Sequence, residues 1–136
     1  MTDGLVPHTG TVLVVDDQQE TRHLVDRTLR SHGYKVLAAS GGNEALGLAQ
    51  AHPGAVDLLI TDVLLWGMTG PELYGRVRQQ HQGLRVLFMS GYSDEVLRQH
   101  GVSSAAPFLR KPFGPPGLVE KVREALHASS PARPTS

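Results

Sequence analysis

Three aspartates and one lysine carry the chemistry that this chain's residue types allow. Asp16 and Asp17 follow the apolar run Thr11-Val-Leu-Val-Val15, and Asp62 follows Val56-Asp-Leu-Leu-Ile-Thr61. Lys111 lies in Phe108-Leu-Arg-Lys-Pro-Phe113, directly before a proline. A short apolar strand ending in a carboxylate, found twice, puts negative charge at the carboxyl edge of a parallel sheet. That edge is where open α/β sheets bind ligands. Clustered carboxylates raise one another's pKa unless a cation joins them. The arrangement therefore predicts a small oxygen-donor site, with Mg²⁺ as the ion it suits best. The lysine adds a place for an anionic group such as a phosphoryl.

Each of these residues also has a plainer reading on its own. Asp17 could cap the first helix, Asp62 could be a turn residue, and Lys111 could be an exposed loop lysine. A serine at a strand end, such as Ser90, is common in any protein. It is their joint occurrence at strand ends that favours a site. The seven histidines are scattered without metal-ligand spacing, so they are expected in solvent or in packing. Gly41-Gly42 and Gly67 belong to neither GxxxxGK[ST] nor GxGxxG, so no glycine-rich phosphate loop is expected.

The elements that must position these groups alternate strand and helix five times. Strands are predicted at about Thr11–Val15, Lys35–Ala39, Val56–Thr61, Arg85–Ser90 and Pro107–Arg110, rich in apolar residues as a sheet buried on both faces requires. Helices are predicted at roughly Gln19–Ser31, Gly42–Ala51, Gly70–Gln80, Asp94–His100 and Pro116–His127. Leu24, Val25, Thr28 and Leu29 give the first an apolar face, and Leu118, Val122, Ala125 and Leu126 the last. The fourth is short and weak by pattern. Strand-helix alternation implies right-handed crossovers and a three-layer α/β/α sandwich.

Composition sets outer bounds. A chain of 136 residues suits one domain. With 40% hydrophobic and 19% charged residues it falls among ordinary globular chains. Thirteen basic residues balance thirteen acidic ones, so no basic field recruits nucleic acid or an anionic membrane. Cysteine is absent, which excludes disulfides and thiolate metal sites. No apolar run approaches the roughly 20 residues that span a bilayer, and residues 1–10 lack a signal-peptide pattern. A cytoplasmic protein is the expectation, with an N-terminal tail over 1–10, one domain over 11–127 and a disordered tail over 128–136.

Five segments in order resemble the receiver domain of two-component response regulators. They are Val14-Val-Asp-Asp17, Ile60-Thr-Asp-Val63, Gly67-Met-Thr-Gly-Pro-Glu-Leu73, Met89-Ser-Gly-Tyr92 and Leu109-Arg-Lys-Pro-Phe113. The resemblance implies a flavodoxin-like, five-stranded parallel sheet in the order 2-1-3-4-5. It implies Asp62 as phosphoacceptor, Asp17 as direct Mg²⁺ ligand and Asp16 as its neighbour acting through a coordinated water. The backbone carbonyl of Leu64 would supply another metal oxygen. Ser90 and Lys111 would contact the phosphoryl group, Lys111-Pro112 would be a cis peptide, and Phe108 would be the aromatic switch residue. In the family, the positions held here by Leu64 and Tyr92 flank the path of the water that hydrolyses the phosphoryl group. Trp66 stands where many members carry proline, which pre-sets the loop. It reads equally as a partner anchor or as a cover over that loop.

The resemblance implies a phosphoacceptor module rather than an enzyme beyond its own phosphorylation and slow dephosphorylation. Its implied partner is a histidine kinase or a histidine phosphotransfer protein, with a homodimer through the fourth helix, fifth strand and fifth helix left open. Two other readings compete. A small Mg-dependent aspartyl-phosphate phosphohydrolase would also use paired aspartates and a lysine. It usually needs a general acid two residues after the nucleophile, where Leu64 stands, and a cap for which the chain has no room. A pseudo-receiver acting by binding alone would not need the intact Asp17, Asp62, Ser90 and Lys111. The motifs also look similar to receivers of hybrid histidine kinases. A stand-alone receiver and one cut from a larger protein both fit, and no DNA-binding helix-turn-helix pattern is present.

Overall fold

Apolar, β-branched runs separated by amphipathic helices build a doubly wound sheet. The computed structural model describes residues 10–103 and 106–127. The expected tail over 128–136, and residues 1–9 of the other, lie outside the described residues. The elements are β1 (Thr11–Val15), α1 (Gln19–Ser31), β2 (Lys35–Ala39), α2 (Gly42–Ala51), β3 (Leu58–Asp62), β4 (Leu64–Leu65), β5 (Met68–Thr69), α3 (Gly70–Gln80), β6 (Arg85–Ser90), α4 (Asp94–Gln99), β7 (Phe108–Arg110) and α5 (Pro115–His127). The main sheet has five parallel strands in the order β2-β1-β3-β6-β7. This is the expected order 2-1-3-4-5, with β6 and β7 as fourth and fifth sheet strands.

Alternating side chains of each strand feed two cores. Leu13, Val15, Leu59 and Phe88 pack with Ala45, Leu73, Val77 and Leu97 under α2, α3 and α4. Val12, Val14, Ile60, Leu87 and Met89 pack with Val25, Leu29, Leu118 and Val122 under α1 and α5. Of the predicted apolar faces, Leu24 and Leu126 sit at the margins and are only half-buried. The two cores clamp the central strands, so their carboxyl ends form a fixed platform.

Two details depart from the sequence expectation, and a third removes a plainer alternative. The third sheet strand begins at Leu58, because the Val56 N–H turns to the His81 ring instead, at 3.1 Å. It also includes Asp62, which pairs with Met89 in the ladder. The segment after Asp62 is not a plain loop: Leu64 and Leu65 pair antiparallel with Thr69 and Met68. Trp66-Gly67 makes the two-residue turn of this ribbon, and Gly67 takes φ +84°, a value that favours glycine. Finally, α1 has Gln18 at its N-cap, so Asp17 does not cap it.

Candidate functional site

Strand ends place the predicted residues together. Asp16 directly follows β1, Asp62 closes β3, Ser90 closes β6 and Lys111 follows β7. All four strands are parallel, so these residues share the carboxyl edge of the sheet. Asp16, Asp17 and Asp62 each offer a carboxylate oxygen within 4.8 Å of the others. Asp16 is fully buried, Asp62 is half-buried and Asp17 is exposed. The set is all-oxygen and hard, which suits Mg²⁺, Ca²⁺ or Mn²⁺ and not softer ions.

Asp16 is held on every side. Its Oδ2 accepts from Lys111 Nζ at 2.7 Å and its Oδ1 from the Gln18 N–H at 2.9 Å. Arg22 Nη1 donates to its backbone carbonyl at 2.7 Å. Asp62 is held more loosely. Its Oδ1 accepts from the Val63 N–H at 2.8 Å, while its Oδ2 lies 3.4 Å from Lys111 Nζ. The third donor of the ammonium reaches Gln18 Oε1 at 3.3 Å.

Both the Asp62 and the Lys111 pKa are raised, whereas a simple salt bridge would lower the carboxyl. Burial raises the Asp62 carboxyl, and the charge of Asp16 adds to it; Lys111 only partly offsets them. Burial opposes the Lys111 ammonium, yet its hydrogen bond and attraction to Asp16, followed by Asp62, leave its pKa raised. The lysine thus belongs to Asp16 first. Asp62 is a half-buried carboxylate whose charge is under-compensated, next to two more carboxylates. A divalent cation joining the cluster removes that imbalance.

Ser90 is fully buried, and its Oγ accepts from the Tyr92 N–H at 2.8 Å. Phe108, half-buried at the start of β7, packs against the core below α4. Leu64 is half-buried in the ribbon, and Tyr92 is 47% exposed. Trp66 is 96% exposed at the ribbon's tip and covers nothing. The bond between Lys111 and Pro112 is cis.

Four residues of this edge have roles that the motifs do not assign. Gln18 and Arg22 have no distinctive spacing, and Arg110 lies inside a motif segment without a role of its own; their roles appear only as contacts across the fold. Gly70, also inside a motif segment, is the fourth. A Cβ there would meet the Asp62 carbonyl oxygen at 2.5 Å, and the Gly70 N–H donates to Val63 O at 2.6 Å. Glycine lets α3 start against the end of β3, which fixes the backbone that carries Asp62. Its position directly before Pro71, in the first turn of α3, is the available signal.

Comparison with known proteins agrees with this geometry. The family model described as the response regulator receiver domain matches residues 12–123. The sensor kinase CckA of Brucella abortus is 35% identical over 119 residues, covering 87% of this chain and 13% of that protein. The alkaline phosphatase synthesis transcriptional regulatory protein PhoP of Bacillus subtilis is 32% identical, over 92% of this chain and 52% of that protein. The chain therefore spans about half, or much less, of the length of these curated relatives. Among solved structures, the receiver domain of the hybrid histidine kinase CckA superposes with a TM-score of 0.72 at 36% identity, covering 87% of this chain and 100% of that one. The chemotaxis response regulator CheY4 of Vibrio cholerae superposes with a TM-score of 0.75 at 34% identity, over 87% and 99%.

Proposed function

The chain belongs to the response regulator receiver domains, and from that premise we propose that Asp62 accepts a phosphoryl group from a phosphohistidine in a Mg²⁺-dependent reaction. The donor is a histidine kinase or a histidine phosphotransfer protein. One observation carries the reading: the Asp62 carboxylate faces the Lys111 ammonium at 3.4 Å beside two further carboxylates. A nucleophile, a fixed cation and an acidic cluster for a second cation are what phosphoryl transfer needs, since positioning and charge stabilisation dominate it.

An Asp62 oxygen attacks phosphorus. The P–N bond to the donor imidazole breaks, its electron pair stays on nitrogen, and an acyl phosphate forms on Asp62. In this reading Asp17, Asp62 and the Leu64 carbonyl would hold the ion directly, and Asp16 would act through a water. When bound, Mg²⁺ neutralises charge on the phosphoryl oxygens. Asp16 keeps Lys111 at the site, and the ammonium then pairs with a phosphoryl oxygen. Ser90 hydrogen-bonds another. Hydrolysis later breaks the P–O bond to Asp62 and releases phosphate and the carboxylate. Phe108 and the face of α4, β7 and α5 carry the response, and a homodimer would form through that face. No helix among the described residues is long and apolar enough to cross a membrane. The reading includes a cytoplasmic location, where histidine kinases use ATP.

The test is intact mass after incubation with a small phosphodonor and Mg²⁺. One phosphoryl group is expected, and both Asp62→Asn and chelation of the metal should abolish it. Undiminished labelling of Asp62→Asn would overturn the assignment.

A further inference from the structure

We propose that Arg110 is a positioning residue that holds Ser90 back from the phosphoryl group until the loop after β6 is released. The inference rests on the reading of Asp62 as phosphoacceptor. Arg110 ends β7 and stands in register with Ser90 at the end of β6. Its Nη1 donates to the Tyr92 carbonyl at 2.7 Å, and its Nη2 donates to Asp94 Oδ1 at 2.8 Å. Its Cζ lies 5.1 Å from the centroid of the Phe108 ring. One planar guanidinium thus joins the β6–α4 loop, the first residue of α4 and the aromatic ring of β7. Only arginine has the donor fork for this; the single ammonium of lysine cannot span the same groups in one plane.

Tyr92 links this clasp to the site. Its carbonyl is held by Arg110, and its N–H donates to Ser90 Oγ at 2.8 Å. Movement of the Ser90 hydroxyl toward Asp62 must either break that second bond or carry Tyr92 along. Where Tyr92 is carried along, its carbonyl leaves Arg110. Loss of the clasp frees the Phe108 ring, which lines a cavity of about 120 Å³ together with Leu97, Val102 and Ala106. Asp94 is 76% exposed, so this end of the clasp is open to water, and α4 has only six residues. A contact present in one arrangement and lost in the other shifts the equilibrium by its own strength. Arg110 therefore acts as a brake on switching.

Beryllofluoride with Mg²⁺, a phosphoryl mimic, tests this on the full chain. Arg110→Ala should bind it roughly three- to tenfold more tightly than the wild type, the range expected from losing an exposed, charge-assisted contact set. Asp94→Asn should shift it the same way by less, and Arg110→Lys should fall between. The double variant should match Arg110→Ala, because both substitutions remove one clasp. Without mimic, amide exchange from Tyr92 to Leu97 should quicken in Arg110→Ala. Unchanged or weaker binding by Arg110→Ala, additive effects in the double variant, or unaltered exchange would overturn the brake. If Arg110→Ala does not fold, Asp94→Asn decides alone by the same criteria. A wild type that binds no mimic in the presence of Mg²⁺ would instead sink the phosphoacceptor reading, and the brake with it.

Discussion

Consecutive basic residues leave the end of β7 in opposite directions and meet aspartates in opposite surroundings. Lys111 pairs with Asp16, whose side chain is fully buried, at 2.7 Å. Arg110 pairs with Asp94, which is 76% exposed, at 2.8 Å. The distances are nearly equal, yet the consequences differ. Water screens the outer pair, so its net strength is small and its loss is tolerated. In the inner pair Asp16 is fully buried and Lys111 mostly so, and losing one partner would leave a buried charge uncompensated. The proposed chemistry on Asp62 thus lies on the half of the edge with the buried pair. The proposed response lies beside a short helix whose fastenings are exposed and weak.

Removing Lys111 should break this contrast most sharply. Lys111→Met leaves Asp16 buried and unpaired, and should destabilise the metal-free protein by on the order of 3 kcal/mol. Arg110→Ala should cost at most about 1 kcal/mol by the same measurement, because its pair is exposed. Urea denaturation at neutral pH compares the two. Mg²⁺ should return part of the loss in Lys111→Met, and Asp16→Asn in that background should return it without metal. Equal losses for the two variants would show that burial does not separate the pairs.

A third polar link tests the middle of the scale. At the opposite edge of the sheet, His81 Nε2 donates to Ala49 O at 2.8 Å and its Nδ1 accepts from the buried Val56 N–H at 3.1 Å. One ring ties the end of α2 and the approach to β3 to the end of α3. His81→Ala strands the Val56 N–H, and should cost about 1–3 kcal/mol in the same denaturation series. A loss no larger than that of Arg110→Ala would mean that water replaces the ring.

His81 also marks where the sequence stops being legible. The five sheet strands and five helices were readable, because apolar runs buried on both faces and 3.6-residue periodicity are local signals. The acid cluster was readable because Asp16, Asp62 and Lys111 sit at strand ends, and topology does the rest. The β4–β5 ribbon was not, since two-residue strands carry no periodicity. The partners of His81 lie 25 and 32 residues away, and those of Arg110 lie 16 and 18 away. Such contacts exist only after folding, and the histidine read as one of seven without pattern. Phe108 and Ser90 were placed by resemblance, and their neighbours were not.

The raised pKa of Asp62 gives a smaller effect with a definite sign. Burial, then the charge of Asp16, lift the carboxyl above its ordinary 3.8. A group raised on folding contributes stability that is full below the unfolded value and is lost as pH rises through the folded one. Ionised Asp62 therefore strains the metal-free protein at neutral pH. Asp62→Asn should melt a few degrees higher than wild type there. The gap should close as pH falls through the carboxylate range, and Mg²⁺ should close it at neutral pH by joining the wild-type cluster. A gap independent of pH would assign the gain to packing, and the inner half of the edge would hold no electrostatic strain.

The smallest expected effect concerns the rim between the two halves. Leu64 stands two residues after the proposed phosphoacceptor, in the ribbon, and Tyr92 two residues after Ser90, in the loop that Arg110 holds. Hydrolysis of the acyl phosphate needs a water held in line with phosphorus, and positioning supplies much of such a rate. Leucine has no polar group to hold that water, and tyrosine is bulky. The phosphoryl group should therefore be comparatively long-lived. Leu64→Asn adds an amide on the fixed half, and should speed loss of phosphate by roughly a few-fold, since a single weak hydrogen bond contributes about 1 kcal/mol. Tyr92→Glu adds a carboxylate on the movable half, where the side chain is already 47% exposed, so its effect should be smaller. Decay of the phosphorylated protein, followed by intact mass, measures both. If Tyr92→Glu accelerates decay more than Leu64→Asn, the movable half positions the water, and the division between a fixed chemical half and a yielding responsive half fails at its boundary. If neither changes the rate, these two positions do not set the lifetime.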